Sequence, residues 1–268
     1  MPTVYASLPL TGPARQAAED PHALAYLGDF HSGQVAESSR ILGAAGLLQV
    51  APVATWAELG GPTLIRLMPH DGVGARAIAD WMVGGDIARL LVVHDHDPYY
   101  GMPVGGMRVE AALNRGIALR SRPIWNHDEE WESEIADAQA VLYVGVAGSG
   151  AVRLWHDLHA ANPELWLLGT EGVAAPWLAE ALSPSAAERT RFFQAQRAPF
   201  GFYGYEAMAL ILDSAAEGRG DRAATVRAAR ATTDRDSILG RYSLDADGHT
   251  TTTAYGRVAV VDGELVSA

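Results

Sequence analysis

Three apolar runs constrain this chain most: "RLLVVHD", "AVLYVGV" and "ELWLLGTEG". Each is continuous rather than alternating, and each leads through a loop into an amphipathic segment. A strand that is apolar on both faces must be buried on both, which a parallel sheet flanked by helices provides. The same rhythm begins at the N-terminus. "TVYASLPL" reads as a strand, "ARQAAED" as a helix, "ALAYLGDF" as a strand, "GQVAESSRILGAAG" as a helix and "LLQVAPVA" as a strand. The expected class is α/β, doubly wound. The end of the chain departs from this. "YSLDADGHTTTTAYGRVAVVDGELV" alternates, is rich in threonine and carries Asp-Gly pairs at Asp247-Gly248 and Asp262-Gly263. Those are the marks of an appended antiparallel hairpin.

Composition narrows the function classes. A chain of 268 residues can form one large domain or two lobes. With 49% hydrophobic and 19% charged residues it has the balance of a folded chain. Its formal net charge is -12, from 32 acidic residues against 20 basic ones, every one an arginine. That argues against a nucleic-acid partner, because phosphate binding needs a basic face. Without cysteine, disulfides and thiolate metal sites are excluded. The longest apolar runs fall far short of the roughly 20 residues of a membrane span. The start "MPTVYASLPL" has no basic region ahead of its apolar stretch, so no signal peptide is visible.

The stretch "GDFHSGQ", Gly28 to Gln34, lies where an apolar run stops and a helical pattern begins. A hydrolase elbow would need Gly-x-Ser-x-Gly, and no serine of this chain has a glycine two positions away on both sides. His31 precedes Ser32 directly, which points the two side chains apart. Ser32 instead reads as a helix N-cap, whose hydroxyl with nearby amides either closes the helix or forms an anion site at its positive end. "GVAGSG", Gly145 to Gly150, has the spacing GxxGxG, not the dinucleotide GxGxxG, and reads as a tight turn. "HDHDPYYG" would put His94 and His96 on one side of an extended segment, a weak zinc or manganese pattern with no second ligand cluster. Glu171, in "LLGTEGV", lies just beyond a buried strand, where open α/β sheets bind ligands, unless it is merely solvated there.

The order of the pieces adds more than any one of them. "SLPLTGP", "AYLGDFHSG", "LLQVAPVAT", "IRLMPHDGVGARAIADWM", "LVVHDHDPYYG", "LLGTEGV", "YGYEAMALILDSA" and the closing "SLDADGHTTTTAYGRVAVVDGELV" occur in sequence. The series resembles the periplasmic-binding-protein type 1 family, in the branch of leucine/isoleucine/valine-binding proteins that serve ABC importers. The resemblance implies two doubly wound lobes joined by a three-segment hinge, with residues 1–68 and 196–240 in one lobe and 69–195 and 241–268 in the other. It implies a periplasmic or extracellular protein, associated with the membrane through its transporter, that binds an amino acid between the lobes without altering it. It also implies an ABC permease as partner, and no metal or cofactor.

Carried over by position, Ser32 matches the serine that holds the ligand carboxylate. Val53 matches a residue whose backbone carbonyl receives the ammonium, and Thr55 a hydroxyl contact. Tyr100 matches a second-lobe tyrosine over the ligand, Glu171 the acid that pairs with the ammonium, and Tyr203 an aromatic pocket wall. Between "LTGP" and "ARQAAED" the family has a helix and a further strand, both missing here. A stretch before "RFFQAQRAPFG" is also shortened, the aromatic contact after "TGP" has no counterpart, and Ala147 stands where the nearest branch carries tyrosine. The sheet edge left by the missing strand would admit a homodimer. Alternatives are a sensor or degenerate receptor of the same fold, taking an amide, an aromatic acid or nothing, and an enzyme using Ser32 or the histidine pair.

Overall fold

A computed structural model describes residues 3–6, 12–95, 109–124, 131–145, 149–195, 200–253 and 255–268. The elements open with β1 (Thr3–Ala6), α1 (Gly12–Glu19), β2 (Ala23–Leu27), α2 (Ser32–Ala44), β3 (Leu48–Ala51) and β4 (Leu64–Arg66). There follow α3 (Asp71–Gly84), β5 (Arg89–His94), β6 (Ala118–Pro123), α4 (Glu132–Ile135), β7 (Ala140–Val144), α5 (Ser149–Ala161) and β8 (Trp166–Thr170). The remainder is α6 (Pro176–Ala181), α7 (Pro184–Glu188), β9 (Thr190–Ala195), α8 (Phe200–Glu217), α9 (Arg222–Arg230), β10 (Tyr255–Val261) and β11 (Glu264–Ser267). The chain divides into two compact units, residues 1–70 with 197–253, and 71–196 with 254–268.

The first unit is built on a parallel sheet ordered β1-β2-β3-β4. β3 and β4 are buried along their whole length, as a sheet covered on both faces requires. α1 and α2 pack on each other, and α8 and α9 pack together and onto β2 and β3. Among the described residues β1 pairs only with β2, so it forms one edge of the sheet.

The other edge, β4, is covered by a segment that the family resemblance assigns to the second lobe. Residues 241–253 lie in the first unit. Arg66 donates its backbone N–H to the Gly248 carbonyl at 2.9 Å, and Thr250 N donates to the Arg66 carbonyl at 3.0 Å. The Asp247-Gly248 turn therefore closes no hairpin with the chain's last strands; it lays the chain along β4, whose backbone groups would otherwise be unpaired. Glu206 on α8 holds the same segment, accepting from Arg235 Nε at 2.6 Å and from the Tyr242 hydroxyl at 2.9 Å. His249 adds a side-chain tie, donating from Nε2 to the Leu59 carbonyl at 2.9 Å.

The second unit carries a seven-stranded sheet ordered β11-β10-β9-β8-β7-β5-β6. β5 to β9 are parallel, while β10 runs antiparallel to β9 and to β11. The hairpin expected at Asp262-Gly263 is β10–β11, and both turn residues have positive φ, 51° and 79°, as a two-residue hairpin turn demands. Alternate residues of the parallel strands feed two cores. Leu91, Val93, Val141 and Leu167 face Trp155, while Leu90, Val92, Leu142 and Leu168 face Ile78 and Met82 of α3. Among the described residues, no helix is long and apolar enough to cross a membrane.

Burial, and then the charge of Arg66, hold the His249 imidazole below its ordinary value of 6.5. As pH falls, the unfolded chain therefore takes up a proton that the folded chain refuses. The stability His249 contributes is whole above about 6.5 and drains as pH drops below that value. His249→Asn should flatten this part of the stability–pH profile, measured by urea unfolding between pH 7.5 and 5.

Candidate functional site

The first unit presents its candidate residues at the carboxyl end of β2 and in the loop after β3. The β2–α2 turn is tied down before any ligand is considered. Gly28 N donates to Val50 O at 3.0 Å, and Gln49 Nε2 donates to the Gly28 carbonyl and to Ser38 Oγ, both at 2.8 Å. Asp29, 3% exposed, accepts from the Tyr26 hydroxyl at 3.0 Å and from Ser38 Oγ. A buried carboxylate needs such donors, and here they lock the chain that enters α2.

Ser32 is not the N-cap. His31 takes that place, with extended backbone (φ -88°, ψ 138°), its carbonyl accepting from Val35 N and its ring making no cap bond. Ser32 is the first helical residue, so its hydroxyl cannot bend back to the helix amides. It accepts instead from the backbone N–H groups of Thr55 and Trp56, each at 3.2 Å. Two consequences follow. The hydroxyl proton has no acceptor among the described residues and is available to an oxygen anion. The first-turn amides of α2 have no side-chain cap and present the helix's positive end.

Val53 and Thr55 sit in the same place. Both are buried, the Val53 carbonyl accepts no hydrogen bond from a described residue, and the Thr55 hydroxyl is likewise unpaired there. The buried Arg66 fixes this loop from beneath, Nη1 donating to the Trp56 carbonyl at 2.7 Å. Tyr203 lies in the first turn of α8, 4% exposed, its phenol pushed up to about 12 by burial. The start of α8 is beside the β2–α2 turn, because the rings of Phe200 and Phe30 meet edge-to-face at 5.4 Å. Sequence reasoning missed this pair, although an exposed aromatic in a turn, Phe30 at 54% exposure, is the kind of signal that marks a binding face.

In the second unit Glu171 follows β8 at the carboxyl edge of the sheet. Its Oε2 accepts a short hydrogen bond from the Tyr255 hydroxyl. Tyr255 reaches it by crossing α3 at Gly74, where a Cβ would lie 2.5 Å from the ring's Cζ. Only glycine admits the ring there, a requirement invisible until the elements are assembled. Asp95, at the end of β5, and Tyr143, on β7, converge at the same edge around Gly145. Burial, and then the Asp95 charge, push the Tyr143 phenol up to about 12. Tyr100, the second histidine of the proposed metal pair, His96, and Ala147 lie outside the described residues. Among those described, no group of three or more His, Asp or Glu side chains could hold a metal ion.

No family model matches the chain, and no curated protein does. Solved structures do. An ABC transporter substrate-binding protein from Desulfitobacterium hafniense, in complex with Leu, is 17% identical with a TM-score of 0.80, covering 96% of this chain and 84% of its own. The leucine-binding protein LivK of Thermotoga maritima is 16% identical with a TM-score of 0.82, covering 96% and 82%. A solute-binding protein from R. palustris in complex with benzoate is 17% identical with a TM-score of 0.76, covering 96% and 80%. These neighbours are binding proteins, and at such identities the likeness is one of fold.

Gly74→Ala should cost about 1–3 kcal/mol of stability, the range for inserting a methyl group into packed structure. It should also free Glu171 from the Tyr255 phenol. Guanidinium unfolding measures the first effect, and the carboxyl chemical shift of Glu171 the second.

Proposed function

We propose that this chain, which has the fold of the leucine-binding substrate-binding proteins of ABC transporters, is an extracytoplasmic solute-binding protein. It captures a free amino acid, branched-chain or otherwise apolar, leaves it unaltered and hands it to a membrane permease. The observation that carries this reading is the wiring of Ser32. Its lone pairs are taken by the Thr55 and Trp56 amides, so its proton points to an acceptor that the described residues do not supply.

A ligand carboxylate answers that need, with the uncapped first turn of α2 adding partial positive charge. The Val53 carbonyl and the Thr55 hydroxyl, which have no partner among the described residues, suit an ammonium and a polar neighbour. Glu171, held by Tyr255, supplies the counter-charge for the ammonium from the second unit. A serine engaged in this way is a poor nucleophile, since among the described residues no base accepts its proton. Tyr100 completes the proposed contact set, and Tyr203 forms an aromatic wall.

One observation favours a second reading, in which the ligand is an aromatic acid. Phe30 and Phe200 are both largely exposed and already in edge-to-face contact beside the β2–α2 turn. A third ring could extend that arrangement.

A thermal-shift panel of the twenty amino acids and a set of aromatic acids decides between the two, because ligand binding to the folded state raises Tm by mass action. A rise with leucine-like amino acids supports the transport reading, a rise confined to aromatic acids the second, and a flat panel opposes both. Glu171→Gln should weaken amino-acid binding by about 1.5–3 kcal/mol, as for a hydrogen bond to a charged group. Unchanged affinity in calorimetry would remove Glu171 from the site. Ser32→Ala should weaken the same binding.

A further inference from the structure

The amino edge of the second unit's sheet carries a different chemistry. β8 rises about 13 Å over the four steps from Trp166 to Thr170, so its start is remote from the carboxylate edge. Trp166 and Trp81 of α3 meet there edge-to-face at 5.3 Å, and Trp81 meets Phe193 at 5.7 Å. Around Trp166 stand two guanidinium groups, Arg189 at 5.2 Å and Arg191 at 5.0 Å from the ring centroid. Strand register puts Arg257 on the same face, since Ala259 lies opposite Arg191 and Arg257 opposite Phe193.

Trp81, Gly84, Gly85, Ile87, Trp166 and Arg257 line a cavity of about 320 Å³. That volume is at the lower end of the range for small-molecule pockets.

The charges in this cluster are not balanced. Arg189 is paired with Glu164. Among the described residues Arg191 donates only to the backbone carbonyls of Glu188 and Thr190. Arg257 has no side-chain partner among the described residues, and its Nε is shut away from solvent with its hydrogen bond unmade. In a chain of net charge -12, two guanidinium groups on one sheet face have no carboxylate partner among the described residues. Burial, and then the charge of Arg257, lower the affinity of Arg191 for its proton, consistent with like charges held together.

We propose that this cavity is a second binding site, for a small aromatic carboxylate whose ring lies against Trp81 and Trp166 and whose carboxylate accepts from Arg257. The guanidinium fork matches a planar carboxylate with two parallel hydrogen bonds, and the indoles supply apolar walls. The site uses none of the residues assigned to amino-acid capture.

The test is calorimetric titration with 2-naphthoate and its neutral analogue 2-naphthamide. The proteins are the unsubstituted chain, Arg257→Gln, Gly84→Leu and Ser32→Ala. Gly84→Leu adds a side chain at the cavity wall, at a position where a Cβ meets nothing within 4 Å. The unsubstituted chain should bind 2-naphthoate, and Ser32→Ala should retain a 2-naphthoate binding event that Arg257→Gln and Gly84→Leu weaken. Arg257→Gln and Gly84→Leu should each bind it roughly ten-fold or more weakly, and 2-naphthamide should bind the unsubstituted chain weakly by a similar factor. The proposal is overturned if 2-naphthoate does not bind, if both cavity variants bind it unchanged, if Ser32→Ala abolishes binding, or if the amide binds as well as the acid.

Discussion

The buried carboxylate of Asp29 is the interaction on which the first unit's candidate site depends. It gathers Tyr26 from β2 and Ser38 from α2, and through Ser38 it reaches Gln49 on β3. Three elements are thereby fixed at the turn that sets the direction of α2. Ser32 inherits its position from that turn and passes it on to the Thr55–Trp56 loop through two backbone N–H donors. Arg66 holds the loop from the other side. The hydroxyl is placed by a connected network rather than by its own rotamer preference, which is the condition for a preorganised ligand contact.

Sheet edges explain much of the remaining architecture of each unit. Among the described residues the first sheet has four strands, and an unpaired edge invites association. At β4 the problem is met within the chain, by the segment around Gly248 and Thr250. In the second unit β6 is an edge strand that is largely exposed and carries Arg120 and Arg122, a charged face that discourages further pairing. At the other end of that sheet, the β10–β11 hairpin extends the parallel strands with antiparallel ones.

The second sheet is also divided chemically along its strands. Carboxylates and phenols gather at its carboxyl edge, where Glu171, Asp95, Tyr143 and Tyr255 lie. Arginines and indoles gather at its amino edge, around Trp166. Ligand sites of open α/β sheets occupy the carboxyl edge because the strands end there and loops of free sequence begin. The amino edge has no such default role, so a cluster of incompletely paired guanidinium groups there calls for its own explanation.

The class of this protein was legible because burial on both faces leaves an uninterrupted apolar signature in a strand, as in "AVLYV" and "LLQVA", and helices between such strands force a parallel sheet. The hairpin at Asp262-Gly263 was legible for the same local reason, since two residues of positive φ select that turn. Glu171 could be placed at a strand end because the strand before it could be read. What the linear sequence could not carry was anything decided by contact between distant segments. Asp247-Gly248 has the same turn chemistry as Asp262-Gly263, yet it serves β4, because an unpaired edge in the first unit competes for it. Ser32 reads as a cap until the backbone shows His31 in that place and the Thr55 and Trp56 amides on its oxygen. Gly74 and Tyr255 stand 181 positions apart, and Trp81, Trp166 and Arg257 follow at intervals of 85 and 91, so only packing brings each set together. Local periodicity determined the elements; long-range hydrogen bonding and steric fit decided which side chains meet.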